Sequence, residues 1–205
     1  MDLPDGFYGI TDERFGCLES FKRLLNFGAR IVQLRCKSLT DKELFEIALE
    51  ARKLTEKQKA ILIIDDRVDI ALAVGADGVH LGQDDLPTCV ARRLVGKDMI
   101  IGLSTHSIED VERASCCDYI GVGPVFETTT KDYKPIGVET ARRMVELSKF
   151  PAYLIGGITL ENISQIVHIG AKGFVSVSDV LSHDMLHYKE MIRLWNSSRI
   201  GSAGE

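Results

Sequence analysis

The sequence predicts an α/β chain folded as a single (β/α)8 TIM barrel, and three observations predict it. Short runs rich in β-branched and apolar residues recur at 6–12, 31–35, 60–66, 78–83, 99–104, 119–126, 152–157 and 173–179, eight in all. They are nearly continuous in apolar character, which marks parallel strands covered on both faces. Between them lie segments such as 41–56 and 138–147, whose apolar residues are spaced by three and four, the period of a helix packed on one side. Eight strand–helix units suit a closed barrel. An open doubly wound sheet is the alternative, and the count of eight disfavours it.

A weak internal repeat supports the unit. Phe27-Gly28-Ala29-Arg30, Val74-Gly75-Ala76-Asp77-Gly78 and Ile169-Gly170-Ala171-Lys172-Gly173 each precede an apolar run. Glycine just past a helix end can turn left-handed, close the helix and feed the next strand. No Pro/Gly/Ser-rich linker or composition break divides the chain, so residues 1–196 are read as one domain. Residues 197–205 lack apolar periodicity and are read as a frayed C-terminal tail.

Composition narrows the function. Of 205 residues, 45% are hydrophobic and 27% charged, ordinary values for a soluble globular protein. A net charge of −5 with no basic stripe argues against nucleic acid as a partner. No apolar run approaches the roughly 20 residues that span a bilayer, so no membrane association is expected. The start, MDLPDGFYG, has neither the basic flank nor the apolar core of a signal peptide, and a cytoplasmic location is expected. The five cysteines, Cys17, Cys36, Cys89, Cys116 and Cys117, show no zinc-type spacing. A vicinal Cys116–Cys117 bond is conceivable, but reduced thiols are the expectation in a cytosolic setting.

In a barrel, chemistry gathers at the C-terminal ends of the strands. Those ends are polar here: Thr11-Asp12, Gln33/Arg35/Lys37, Asp65-Asp66, Gln83/Asp84/Asp85, Ser104/His106, Thr128 to Lys131, Gly156-Gly157 and Ser176/Ser178. Strand starts carry no comparable set. The most informative stretch is 60–87, two strands joined by a helix and ending in Asp65-Asp66 and Gln83-Asp84-Asp85. Parallel strands bring those acidic ends to one spot. Asp66 and Asp85 become candidate ligands for Mg2+, which takes one or two carboxylates and leaves its other positions to water and phosphate. Asp69 suits a helix dipole, Asp77 the opposite face, and Asp84 a direction away from the metal.

Alternation along a strand sends Gln33, Arg35 and Lys37 to one side. Inside a barrel mouth, Arg35 could grip a diphosphate bidentately and Lys37 as a point charge; a solvated strand end paired with local carboxylates is the plainer alternative. Thr128, Thr129, Thr130 and Lys131 follow the sixth strand and could cradle a phosphate. A Schiff-base role for Lys131 fits poorly with so polar a loop. Gly157 after the seventh strand, and Val177 and Ser178 after the eighth, stand where barrels frequently bind phosphate through backbone amides. Thr159 is a good N-cap for a following helix. Gly102-Leu103-Ser104-Thr105-His106 lacks the second glycine of a nucleophile elbow, so Ser104 reads as a hydrogen-bond donor. His183 and His187 are four apart but have no third ligand in view, and they read as surface residues. His80, mid-strand, reads as a satisfied interior histidine.

Taken together, GFYGITD, QLRCK, IIDDRVDIALAVGADGVHLGQDDLP, IIGLSTHS, DYIGVGPVFETTTK, LIGGIT and GFVSVS, running from residue 6 to about 180, resemble the thiamine-phosphate synthase family of (β/α)8 barrels. The resemblance implies an Mg2+-dependent transferase that joins hydroxymethylpyrimidine diphosphate to hydroxyethylthiazole phosphate and releases pyrophosphate. It implies that Gln33, Arg35 and Lys37 bind the pyrimidine diphosphate, that Asp65, Ser104 and Lys131 touch the same substrate, and that Asp66 and Asp85 hold the metal. Thr128 to Thr130, Gly157, Val177 and Ser178 would receive the thiazole phosphate. No protein nucleophile is required. Three residues depart from the family pattern: Asp65 stands where an asparagine contacting the pyrimidine is usual, Cys36 replaces a glutamate, and Asp179 replaces a small residue. A thiazole tautomerase shares the barrel but typically lacks the paired carboxylates and uses a histidine near the position of Pro124. A non-catalytic phosphate-binding barrel is a third alternative, and homo-oligomerisation is left open.

Overall fold

A computed structural model describes residues 2–128 and 134–200, with side chains described through 197. Its first strand comes in two pieces, β1 (Gly6–Phe7) and β2 (Gly9–Ile10). Then follow β3 (Ile31–Leu34), β4 (Ile61–Asp65), β5 (Gly78–Leu81), β6 (Ile100–Thr105), β7 (Tyr119–Val122), β8 (Ala152–Leu154) and β9 (Gly173–Phe174). All pairings are parallel and run in order from β2 to β9. β1 pairs with β9 through Gly6↔Gly173 and Phe7↔Phe174, while β2 pairs with β3 through Gly9↔Val32 and Ile10↔Gln33. The two pieces of the opening strand thus close the sheet into the expected barrel.

Period-two alternation along these strands builds two layers. Ile10, Ile31, Ile61, Ile63, Ile100, Tyr8, Tyr119, Tyr153 and Val175 point inward and fill the barrel. Their neighbours Val32, Leu34, Leu62, Ile64, Val79, Ile101, Ile120 and Leu154 point outward to the helices. The helices are α1 (Cys17–Asn26), α2 (Asp41–Gln58), α3 (Val68–Val74), α4 (Thr88–Val95), α5 (Ile108–Arg113), α6 (Gly137–Leu147), α7 (Ser178–Ser182) and α8 (Met185–Ile200). α2 shows why they form. Thr40 and Glu43 make a reciprocal capping box, and Leu44, Ala48, Ala51 and Thr55 bury one face at helical spacing. The three glycines of the internal repeat do turn left-handed, with φ of 97° at Gly28, 64° at Gly75 and 85° at Gly170.

Three expectations are corrected. Thr159 does not open a helix: among the described residues only a 3-10 turn, Ile163–Gln165, lies between β8 and β9. That segment is dense in β-branched residues (Ile163, Ile166, Val167, Ile169), which disfavour a helix. At the C-terminus α8 runs on to Ile200, so residues 197–200 are helical. The cysteines are not all thiols. Cys17 pairs with Cys36 and Cys89 with Cys116, leaving Cys117 free and buried. Alternation explains the first bond: Gln33, Arg35 and Lys37 face inward, so Cys36 faces outward onto the start of α1, where Cys17 sits 6.1 Å away between Cα atoms. No helix among the described residues is long and apolar enough to cross a membrane.

Candidate active site

The C-terminal ends of the strands enclose a cavity of about 450 Å3. Gln33, Arg35, Lys37, Asp65, Asp66, Asp85, Ser104, Thr128, Gly157, Val177 and Ser178 all line it. Thr129, Thr130 and Lys131 lie outside the described residues. Asp84 points away, exposed. Asp77 binds Arg52 at 2.7 Å and the Leu62 amide at 2.8 Å, a structural role at the start of β4. Asp69 chelates Arg67 at the start of α3.

Strand alternation alone cannot turn both Asp65 and Asp66 toward the cavity. Asp66 breaks it with a φ of 58°, a left-handed conformation that aspartate tolerates better than most residues. Its amide donates to the His80 carbonyl at 2.8 Å, which fixes the turn. Asp66 then meets Lys37 Nζ at 2.5 Å. Asp85 is anchored by the Gly82 amide at 2.7 Å. Burial, and next a hydrogen bond to Asp66, raise the Asp85 carboxyl above its ordinary range. Two carboxylates in contact at a cavity mouth need either a proton or a cation between them. All their oxygens are hard donors, and this set fits Mg2+. For Lys37, burial pulls the ammonium down, but the Asp66 hydrogen bond and the charges of Asp65 and Asp66 outweigh it and raise its pKa.

Below the mouth runs a chain of polar groups that sequence reading largely missed. Asp65 accepts from Gln33 Nε2 at 2.5 Å. Gln33 Oε1 accepts from the Tyr8 hydroxyl at 2.9 Å, and Tyr8 meets Tyr119 at 2.7 Å. Tyr119 meets His80 Nδ1 at 3.0 Å, and His80 Nε2 meets Ser104 Oγ at 2.9 Å. An ionised carboxylate only accepts, so Asp65 sets the direction of every bond. Tyr8 spends its proton on Gln33, so Tyr119 must donate to Tyr8 and then accept from Nδ1–H of His80. With a neutral imidazole, Nε2 therefore accepts from Ser104, so the serine hydroxyl acts as a donor within the protein and presents its lone pairs to the cavity. Burial, with the neighbouring tyrosines next, raises the Tyr8 pKa, and burial raises that of Tyr119; both phenols keep their protons. The signal for this chain was the inward phase of Tyr8, His80 and Tyr119, which only strand register reveals.

At the opposite wall, Gly157 has a φ of 64°, and a Cβ there would lie 2.2 Å from the Glu127 carbonyl. Glycine is thus required where the loop after β8 packs against the loop after β7. Arg14, not singled out from sequence, chelates Asp12 and donates to Ser178 Oγ at 2.7 Å, tying the first strand end to the last. The Arg14 hydrogen bonds hold the Asp12 carboxyl below its usual range.

The thiamine monophosphate synthase family model matches residues 7–180. The chain belongs to this family. A thiamine-phosphate synthase from Caldicellulosiruptor saccharolyticus is 41% identical over 197 residues, covering 92% of this chain and 89% of that one. Another, from Pyrococcus horikoshii, is 44% identical over 178 residues, covering 85% and 86%. Among solved structures, a thiamine phosphate pyrophosphorylase from Pyrococcus furiosus superposes with a TM-score of 0.87 at 36% identity, covering 94% of this chain and 96% of that one.

Proposed function

We propose that the chain condenses hydroxymethylpyrimidine diphosphate with hydroxyethylthiazole phosphate to thiamine phosphate and pyrophosphate. The observation that carries this reading is the pairing of the Asp66–Asp85 carboxylates with Arg35 and Lys37 at one mouth, a charge arrangement suited to a diphosphate and its cation. Arg35 and Lys37, with Lys131, hold the diphosphate; Asp66 and Asp85 hold Mg2+. When bound, Mg2+ neutralises diphosphate charge and favours its departure.

The pyrimidine-methyl carbon–oxygen bond breaks with both electrons leaving on pyrophosphate. The thiazole nitrogen then donates its lone pair to the methyl carbon. Arg35 and Lys37 stabilise the charge that builds on the departing group, a preorganised electrostatic effect that often dominates catalysis. Gln33, locked by Asp65 and Tyr8, floors the pyrimidine pocket, and Ser104, committed to His80, offers it lone pairs. Thr128 to Thr130, Gly157, Val177 and Ser178 receive the thiazole phosphate. The wall of Ile155, Pro124 and Val175 keeps water from the cation between bond breaking and bond making. A cytoplasmic location accords with this biosynthetic role.

The test incubates the purified chain with both phosphates and Mg2+, following thiamine phosphate and pyrophosphate together. Equal amounts of the two products support the reading. Conversion of a thiazole carboxylate isomer with no thiamine phosphate would assign the tautomerase reaction instead, and binding without turnover would leave a non-catalytic barrel.

A further inference from the structure

The helix pair at the C-terminal end of the chain supplies the third ligand that the sequence reading of His183 and His187 lacked. His183 follows α7 and His187 lies in the first turn of α8, with their rings stacked 4.0 Å apart at an interplanar angle of 12°. Asp179, on α7, supplies what the two histidines lack. Its Oδ2 lies 2.6 Å from His187 Nε2, and its Oδ1 lies 3.6 Å from His183 Nδ1. One donor atom from each of the three residues falls within 4.8 Å of the others. A tetrahedral ion bound at about 2.0–2.2 Å spaces its ligand atoms by about 3.4 Å, so the 2.6 Å Asp179–His187 pair opens and the more distant pair closes, within reach of small rotamer shifts.

The surroundings hold the three in place. The Leu160 amide donates to Asp179 Oδ2 at 3.1 Å, fixing the carboxylate from the loop after β8. Asp184 caps α8 through the amides of Leu186 at 3.0 Å and His187 at 3.1 Å. Arg23, on α1, donates to the His183 carbonyl. Asp179 and His187 are mostly buried, at 13% and 16% side-chain exposure, while His183 at 52% leaves an open side for water.

We propose that Asp179, His183 and His187 form a binding site for a transition-metal cation, with Zn2+ the best match. Two imidazoles and one carboxylate with open positions suit Zn2+, Co2+, Ni2+ or Fe2+. They do not suit Mg2+, whose ligands are hard oxygens, so this site and the Asp66–Asp85 pair select different ions. A cation here clips α8 to the rim of the barrel, beside Ser178, and the site stands independently of the reaction proposed above.

The test uses untagged, chelator-treated protein titrated with Co2+, whose visible absorption reports a low-coordinate site. One equivalent should bind and be displaced by Zn2+ but not by excess Mg2+. Zn2+ should also raise the melting temperature. His183→Ala, at an exposed position that should fold normally, and His187→Ala should each weaken binding by at least roughly tenfold, because even outer-shell changes cost that much. Asp66→Asn and Asp85→Asn should leave the absorption unchanged. No absorption in the parent protein, absorption indifferent to both histidine changes, or absorption lost with Asp66→Asn would each overturn the proposal.

Discussion

Replacing Asp65 with asparagine removes one negative charge while keeping the shape of a side chain that is only 10% exposed. The carboxylate sits 3.6 Å from Arg35 Nε and 3.7 Å from Lys37 Nζ, so it competes with any diphosphate for the same two cations. Coulomb's law at that separation gives about 1 kcal/mol in water and about 5 kcal/mol at an effective dielectric of 20. Lys37 is 48% exposed and Arg35 23%, which places the effect near the low end. A gain of about 1–2 kcal/mol corresponds to roughly a 5- to 30-fold lower KM for the diphosphate substrate. Asparagine can also donate to Gln33, so the direction of the bonds through Tyr8, Tyr119 and His80 is no longer imposed and the Ser104 proton is released. The assay is initial rate against diphosphate substrate at saturating thiazole phosphate and Mg2+, with the fold checked by circular dichroism. A KM that rises or stays fixed would refute the reasoning, because Asp65 would then be a substrate contact and not a competitor.

The other predictions follow from the same geometry. Asp85→Asn should weaken Mg2+ binding by roughly tenfold or more, raising the Mg2+ concentration the reaction needs, yet stabilise the metal-free protein, since it removes one of two carboxylates in contact. The sign with pH is fixed by the raised Asp85 pKa. The native state holds that proton more tightly than the unfolded chain, so this contribution is full below the unfolded value near ~3.9 and lost as pH rises through the folded value. The melting-temperature advantage of Asp85→Asn without metal should therefore grow as pH rises across that window, and an advantage that shrinks would count against the contact. Reduction should cost about 3 kcal/mol for either disulfide, from loops of 19 and 27 residues, or about 6–12 °C in melting temperature. Alkylation of the unfolded, unreduced chain should label one cysteine, Cys117; labelling of all five would contradict the pairing. Gly102→Ala would put a Cβ 2.2 Å from Tyr119 Cζ and 2.4 Å from His80 Nδ1, and should cost about 1–3 kcal/mol in thermal unfolding together with activity. Gly121→Ala, whose nearest neighbour is His80 Cε1 at 3.6 Å, should stay within about 1 kcal/mol of the parent.

The barrel and its mouth were legible because both depend on short-range patterns. Continuous apolar runs mark buried strands, and parallel strands point their ends the same way, so Asp66 and Asp85 meet although nineteen positions separate them. Alternation also placed Gln33, Arg35 and Lys37 on one side. What stayed hidden depends on register between strands or on backbone that leaves the regular pattern. The left-handed turn at Asp66 lets two successive carboxylates share the cavity, which no period-two reading allows. The chain from Asp65 to Ser104 draws one residue from each of six strands, counting β1 and β2 as one, and its order follows from pairings such as Asp65↔His80 and Gly102↔Tyr119. The disulfides and the Asp179–His183–His187 cluster arise where separate elements touch. Spacing along the chain carries no trace of the disulfides, and for the cluster it shows two histidines four apart without showing that Asp179 faces them.

The most direct test of the account is a crystal grown with Mn2+ in place of Mg2+ and with pyrophosphate, measured for anomalous scattering. The predicted result is a manganese peak between the carboxylates of Asp66 and Asp85, with pyrophosphate oxygens in contact with Arg35 and Lys37. Pyrophosphate bound only beside Gly157 and Ser178, or manganese absent from the Asp66–Asp85 pair, would contradict it.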